Sequence, residues 1–600
     1  MFHVAALLVN KSNLGWVLAL KYVISIFRKL GLCVLTRVLL LVFTMGLPVA
    51  QAQETTTDRI IQQEQQRQEQ QFDELTPTQL PRDYLQEKLD ESTVGDDTAC
   101  INIQTVTLDG ADLLLSNKAA WTKLVSPFEG QCISVKDINT LLSSVSNFYY
   151  ERGYVTSRAY VPQQDMSTGL LNVLVIESRI ETLQLNKSNG EDNRFELLMA
   201  FPTAPGDHLN LRNLEQGLDQ VNRLGSNKAT MEMIPGDTPG ASNVVISNDV
   251  TKRYGFSLGT DNSGQVGTGE LQNKLGFTYD NLLGINDFLA TNGQIDGHRD
   301  GDARQSRSGS LLYEVPFGYW TAELSLSYFE YAQAIDGFAS SFQSEGTSES
   351  QSLSIKRLVH RDNLSKTSVG VKLQHKDNEN FIEDTLIETS SRELTVASLD
   401  VTHIRRLLGG RAVFGLGYQR GLDFFGALDD SDRVIGEGDA LAQFDKFTAS
   451  IQYQRPFKLF NRNAYYNFSG NAQHSDDTLF NTELISIGGQ FSVNGFKDDG
   501  LSGRTGGFAR QTFGIDVFSN NNNWVRWLGY PQLAFGFDIG SVRTDDPTLD
   551  TFSSLISASI GLSGRIEKVS YSVTYAEPIN EPDFIFSEGR EIYFSLNLRI

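Results

Sequence analysis

The sequence predicts a membrane β protein, with N-terminal α+β units followed by a C-terminal transmembrane β-barrel of about 16 strands. Three observations predict it. From residue 251 onward, apolar residues alternate with small or polar ones in short runs between Gly, Asn, Asp and Ser clusters. The first 52 residues read as an export signal. Beyond them no run approaches the ~20 apolar residues that a spanning helix needs.

In segment 1–52, Arg28, Lys29 and Arg37 precede the apolar run VLLLVFTMGLPV, and AQA at Ala50–Ala52 supplies the small-residue cleavage pattern. The run Val38–Val49 is shorter than the ~20 residues of a span, so a cleaved signal is favoured over a retained anchor. A longer span starting at Leu30 would contain Arg37. Cys33 leaves with the signal, and Cys100 and Cys132 remain. In an exported chain these two are expected to pair, fastening the start of the first α+β unit; two unrelated thiols are the alternative. The net charge of −22 argues against a nucleic-acid partner and suits acidic loops and a water-facing interior.

Residues 53–75 carry QETTTDRIIQQEQQRQEQQFDEL, rich in helix formers with almost no apolar stripe. A helix polar on every side bridges solvent or lines a wet cavity, and a disordered Gln-rich tract is the other reading. Residues 76–98 form a linker, with Pro77 and Pro81 breaking any helix. Residues 99–177 read as strand, helices, strand, strand. In their main helix Ile138, Leu141, Leu142, Val145, Phe148 and Tyr149 share one face, Ser134 and Asp137 resemble a capping box, and Gly153 sits where a C-terminal glycine cap ends the helix. Residues 178–250 repeat that order, with Leu211, Leu214, Leu218 and Val221 on one helical face.

Residues 251–600 hold the barrel. Val569, Tyr571, Val573 and Tyr575 alternate with Ser and Thr, as do Leu533, Phe535, Phe537 and Ile539 with Ala534, Gly536, Asp538 and Gly540. Ile592, Phe594, Leu596, Leu598 and Ile600 share a face at the end of the chain. Such alternation fits a soluble sandwich or an outer-membrane barrel. The small, polar opposite face and the supply of Phe, Tyr and Trp favour the barrel, and strands of ~9–11 residues with their loops give roughly 16 of them.

No G-x-S-x-G, H-E-x-x-H or P-loop is present, and the seven histidines are scattered, so neither an enzyme nor a metal or cofactor site is expected. DGHRDGD at Asp296–Asp302 hints at a calcium loop, but Arg307 stands where a bidentate Glu is needed, and a solvated loop is expected.

CINIQTVTLDG, GQCISVKDINTLL, FYYERGYVTSRAYVPQQDMSTGLLNVLVIES and LNLRNLEQGLDQVNRLG resemble the two periplasmic POTRA domains of two-partner secretion transporters, the outer-membrane pores of the haemolysin secretion/activation type. TDNSGQVGTGE and DNLLGINDFL are similar to the start of their barrel. SIGGQFSVNGFKDDGLSGRTGGFAR, residues 486–510, is similar to their inward-folded loop, and FGFDIGSV to the strand that this loop touches. The resemblance runs from residue 53 to the end. It implies a translocator that exports one large secreted exoprotein across the outer membrane without nucleotide hydrolysis. The exoprotein's secretion domain would dock on the POTRA pair, by strand addition to a sheet edge. The polar helix would plug the pore, and the chain would act as a monomer in outer-membrane lipid, conducting ions as porins do. A barrel-assembly insertase of the same superfamily would carry more POTRA units. A passive porin or receptor would need neither POTRA domains nor a plug, and a soluble β-sandwich is the last alternative.

The resemblance also implies a loop-to-wall contact. Where the family usually has Arg, within VRGY or VRGF, this chain has Asn494 between Val493 and Gly495–Phe496, while the receiving carboxylate is kept as Asp538. An Asn494 side-chain amide could reach Asp538, or Arg504 or Arg510 could supply the cation. Gly536 and Gly540 are expected to leave room for the loop, and Asn494→Arg is expected to be tolerated.

Overall fold

The structure, a computed structural model, describes residues 56–75, 100–190, 194–297, 304–336, 341–436, 438–518, 525–543, 552–585, 587 and 589–600. The expected signal peptide 1–52 and linker 76–98 lie outside the described residues, as does most of the Asp296–Asp302 loop. Residues Gln53–Val542 and Ser553–Ile600 form one compact unit.

The chain enters as helix α1 (Thr56–Leu75). The first mixed unit follows as β1 (Cys100–Ile103), β2 (Thr105–Asp109), α2 (Asp112–Leu115), α3 (Lys118–Val125), β3 (Gln131–Ser134), α4 (Val135–Glu151), β4 (Arg158–Tyr160) and β5 (Leu170–Ile176). Helix α4 begins with a reciprocal cap. The Ser134 N–H donates to Asp137 Oδ2 at 2.8 Å and the Asp137 N–H to Ser134 Oγ at 3.3 Å. The Ser134 backbone N–H holds the Asp137 carboxyl below its usual range. Leu141, Val145 and Tyr149 of α4 are buried against Val106, Leu171, Val173 and Val175 of the sheet. In that sheet β5 lies between β2, parallel to it, and β4, antiparallel to it. A separate ribbon pairs β1 with β3, and across it a disulfide joins Cys100 to Cys132 with Cα atoms 5.3 Å apart.

The second unit contains β6 (Arg179–Lys187), α5 (Arg194–Ala200), α6 (Leu211–Asn222), β7 (Asn227–Pro235) and β8 (Ala241–Val250). Its sheet repeats the logic of the first: β8 is central, parallel to β6 and antiparallel to β7. Leu211, Leu214, Leu218 and Val221 fill its core. A strand–helix–strand–strand unit of this kind cannot bury its helix face without the sheet, which fixes the order of elements in both copies.

Sixteen long strands, from Tyr254–Asp261 to Glu591–Arg599, then close into an antiparallel barrel, with the two-residue piece Thr385–Leu386 appended at one edge. The first and last strands meet in register from Ser257↔Arg599 to Asp261↔Ser595. Hairpins on the rim beside the second unit are tight. Leu408–Gly409 and Phe460–Asn461 take left-handed φ angles, which match the twist of the strands they join. Phe535, Phe537, Ile592, Phe594 and Leu596 point outward and are exposed, whereas Asp538 on the inner face is buried. That is the pattern of a lipid-facing wall around a polar lumen. No helix among the described residues is long and apolar enough to cross a membrane.

The bridge between β1 and β3 generates a prediction. Thiol labelling of the oxidised, denatured chain from residue 53 should find no free sulfhydryl, and Cys132→Ser should lower the stability of the first unit by ~2–4 kcal/mol in chemical unfolding.

Candidate functional site

The lumen is filled by two pieces of the chain. One is the loop between the strands Arg462–His474 and Thr505–Asp516, which folds inward instead of standing outside. Its base is a short turn, Asn481–Glu483, followed by a ribbon in which Ile485–Ile487 pairs with Leu501–Gly503. Its tip is held by its own hydrogen bonds. The Gly488 N–H donates to Ser492 Oγ at 2.9 Å, Ser492 Oγ donates to the Gly488 carbonyl at 2.7 Å, and the Gly489 N–H donates to the Phe496 carbonyl. Ile487, Val493, Phe496 and Leu501 pack on Val542 and Leu555 of the wall, a small apolar seal inside a polar lumen.

At that seal the residues singled out in the sequence come together, with one change of partner. Asn494 reaches Asp538 through its backbone N–H, 3.2 Å from Oδ2, and not through its side chain. The Asn494 amide is instead shared between two serines of the next strand, donating to Ser559 Oγ at 3.2 Å and accepting from Ser557 Oγ at 3.1 Å. The cation at Asp538 is Arg510, whose Nε lies 3.5 Å from Oδ1. Arg510 sits on the wall strand Thr505–Asp516, so the guanidinium comes from the barrel and not from the loop tip. Arg504 does not reach the carboxylate; at the loop exit it donates to the Asp476 carbonyl at 2.8 Å. Close approach needs glycine in two places. A Cβ at Gly495 would lie 2.6 Å from Ser557 Cβ and 3.0 Å from the Pro578 backbone nitrogen, and one at Gly540 would press on Val493 and Ile487 at 3.0 and 3.1 Å. Gly536 makes room for the Ser559 side chain and not for the loop.

The second occupant is α1. Ile60 and Ile61 pack on Phe329 and Tyr331 of the wall. The rest of its buried face is polar and bonds mainly to the inward loop. Gln62 donates to the Asn481 carbonyl, Gln66 to the Ser486 carbonyl at 3.3 Å, and Arg59 to the Asp498 carbonyl at 2.9 Å, while Ser502 Oγ donates to Gln62 at 3.2 Å. On another side Gln265 donates to Gln63 at 2.6 Å and Arg67 to the Ser263 carbonyl at 3.1 Å. The tract with almost no apolar stripe is a helix over Thr56–Leu75, set in a cavity lined largely by polar groups.

A third cluster joins α6 to the near rim, and the sequence reading missed it. Asp219 pairs with Arg361 at 2.6 Å and with Lys366, and Glu215 pairs with Arg361 at 3.2 Å and Arg212 at 3.0 Å. Gln216 and Gln220 both donate to the Gly318 carbonyl at 3.1 Å, and Arg223 pairs with Glu314. A signal is present in the sequence: Glu215, Asp219 and the C-cap residue Arg223 recur every fourth residue along one face of α6, beside its apolar stripe. Among the described residues no group of His, Cys, Asp and Glu could hold a metal ion.

Comparison with known proteins agrees with this architecture. Residues 240–564 match the family of the haemolysin secretion/activation proteins ShlB/FhaC/HecB, residues 101–178 the ShlB-type POTRA domain and residues 179–235 a POTRA domain. The chain is 31% identical to the outer membrane transporter CdiB of Escherichia coli over 543 residues, 88% of each protein. It is 28% identical to the hemolysin transporter protein ShlB of Serratia marcescens, covering 74% of this chain and 76% of that one. Among solved structures, CdiB from Escherichia coli superposes with a TM-score of 0.80 at 29% identity, covering 92% of this chain and all of that one. CdiB from Acinetobacter baumannii shares the fold, with a TM-score of 0.76 at 22% identity over 92% of this chain.

The Arg510–Asp538 pair reverses one expectation from sequence. Asn494 is buried between two serines and Asp538 already has its cation, so Asn494→Arg brings a second guanidinium to one carboxylate. Asn494→Arg should destabilise the folded barrel by about 1–3 kcal/mol in urea titrations followed by gel mobility. Adding Arg510→Gln should recover much of that loss.

Proposed function

The chain belongs to the haemolysin secretion/activation protein family of outer-membrane transporters, and from that premise we propose that it exports a large partner exoprotein through its own barrel. The observation that carries this reading is the character of what fills the lumen. A plug that must leave cannot be held by a large apolar face, because that would cost ~25 cal/mol for each Å² re-exposed to water. Helix α1 is held largely by amide and guanidinium hydrogen bonds to carbonyls, which water can replace at a net cost of about 0.5–1.5 kcal/mol each.

The POTRA domains face the periplasm and receive the exoprotein's N-terminal secretion domain. Edge strands β4 and β7 each leave one side of their sheet open, so an extended client can add as a further strand, with backbone pairing giving affinity and side-chain pockets giving choice. Docking displaces α1, the exoprotein passes unfolded through the lumen, and its folding outside makes the movement directional. No nucleotide is hydrolysed and no covalent bond is made or broken. Segment 1–52 is a cleaved signal that sends the chain to the outer membrane, where a monomer forms one pore in lipid. The contact of Asn494 with Asp538, itself held by Arg510, braces the inward loop in its secretion-competent position.

Two measurements test the reading. Deleting residues 55–74 should raise ion conductance in planar bilayers while the barrel stays folded; unchanged conductance would show that α1 does not occlude the pore. Asp538→Ala should reduce exoprotein secretion with near-normal surface levels of the barrel. Normal secretion by that variant would remove the brace from the mechanism.

A further inference from the structure

The inward loop has a second attachment, at its base, which the family comparison and the tip contact leave without a role. Glu483 closes the turn Asn481–Glu483, and its side chain is 1% exposed. One carboxylate oxygen lies 2.6 Å from Lys376 Nζ and the other 2.7 Å from Lys446 Nζ. Both ammonium groups are themselves buried. The Glu483 carbonyl is bound too, accepting from Lys446 Nζ at 3.2 Å and from Gln473 Nε2 at 2.8 Å. Lys376 belongs to the strand Ser365–Ile382 and Lys446 to Asp445–Leu459, and two long strands, Arg392–Leu407 and Gly410–Leu422, separate them in the ring. A single carboxylate thus ties the loop to two non-adjacent places on the wall, away from the strand that carries Asp538.

The same turn seats the plug. Gln62 of α1 donates to the Asn481 carbonyl, two residues from Glu483, and Ser502 across the ribbon donates to Gln62. Two ammonium groups face one carboxylate. We propose that Glu483, clamped between Lys376 and Lys446, is the positioning residue that fixes the base of the inward loop and the seat of the plug helix, so that loop position and plug occupancy are coupled. Departure of α1 removes the bond to Asn481. Displacement of the turn, conversely, removes the acceptor for Gln62. Burial opposes ionisation of Glu483, but Lys376 and then Lys446 outweigh it and hold the carboxyl at about 2, so Glu483 meets the two lysines as a carboxylate at neutral pH.

This inference rests on the pore reading above, and its test is chosen to be independent of secretion. Taking away the carboxylate alone strands two buried ammonium groups, whereas neutralising all three leaves no uncompensated charge and spares folding. Full-length chain carrying Gln66→Cys and Ser486→Cys, which report on the same helix–loop contact and leave the Gln62–Asn481 bond intact, is oxidised mildly in detergent, and disulfide yield is scored only on barrels that migrate as folded. In the Glu483→Gln and the Lys376→Gln/Lys446→Gln/Glu483→Gln backgrounds, the displaced state should rise about tenfold from a minor population, with cross-link yield falling to match. Bilayer conductance of the triple variant should approach that of the chain lacking residues 55–74. Unchanged cross-linking in the folded triple variant overturns the proposal, even if plug deletion opens the pore. Reduced cross-linking supports it, even if plug deletion leaves conductance unchanged, which would count against the pore reading alone.

Discussion

Backbone groups facing hydrocarbon have no water to bond, so a sheet that crosses a membrane must pair every strand on both sides and close on itself. In this chain closure falls to the register from Ser257↔Arg599 to Asp261↔Ser595. The rest follows from that ring. Closure gives each strand an inside and an outside, the outside must be apolar, and the period of two makes the inside polar. A lumen lined with polar groups is a poor site for an ordinary amphipathic helix, and a good one for α1, whose buried face is mostly Gln, Glu and Arg.

The lumen's contents are graded in strength. At the tip, apolar burial of Val493 and Phe496 combines with hydrogen bonds from Asn494, one of them to the Asp538 carboxylate that Arg510 holds within the wall, and Lys497 pairs with Glu270. At the base, a buried carboxylate meets two ammonium groups. Such clusters add little net stability, because desolvation offsets the attraction, yet they tolerate few alternative geometries. The plug is held more weakly than either, by bonds that water can take over. An arrangement fixed at the wall and loose at the axis suits the proposed export, in which α1 would leave while the frame stays.

Beneath the barrel the same physics sets a joint. Arg361 and Lys366 of one hairpin and Glu215 and Asp219 of α6 form a buried network, and the Gly318 carbonyl accepts from two glutamines of that helix. The second POTRA domain is therefore orientated by charge against the mouth of the lumen. The first is joined to the second by lighter contacts, such as Asn210 donating to the Arg152 carbonyl at 3.1 Å and the Leu211 N–H to the Gly153 carbonyl at 2.8 Å. Under the proposed function, a client docked on the pair would act on a domain fastened to the pore.

The sequence by itself determined whatever is local or periodic. The capping box at Ser134 and Asp137, the apolar face of α6 and the alternation through Phe535 and Phe537 are each written in consecutive residues, and each leads to its element without reference to the remainder of the chain. Tertiary structure alone decided the partners. That Arg510 and not Arg504 stands at Asp538, that Asn494 offers its backbone and spends its side chain on Ser557 and Ser559, and that Glu483 meets Lys376 and Lys446 all depend on the stagger of a closed ring and on how deeply a loop descends into it. A charge on a strand reveals which face it occupies, because the period is two. It does not reveal its partner, because that is set by how the strands stagger around the barrel, a quantity that no single segment contains.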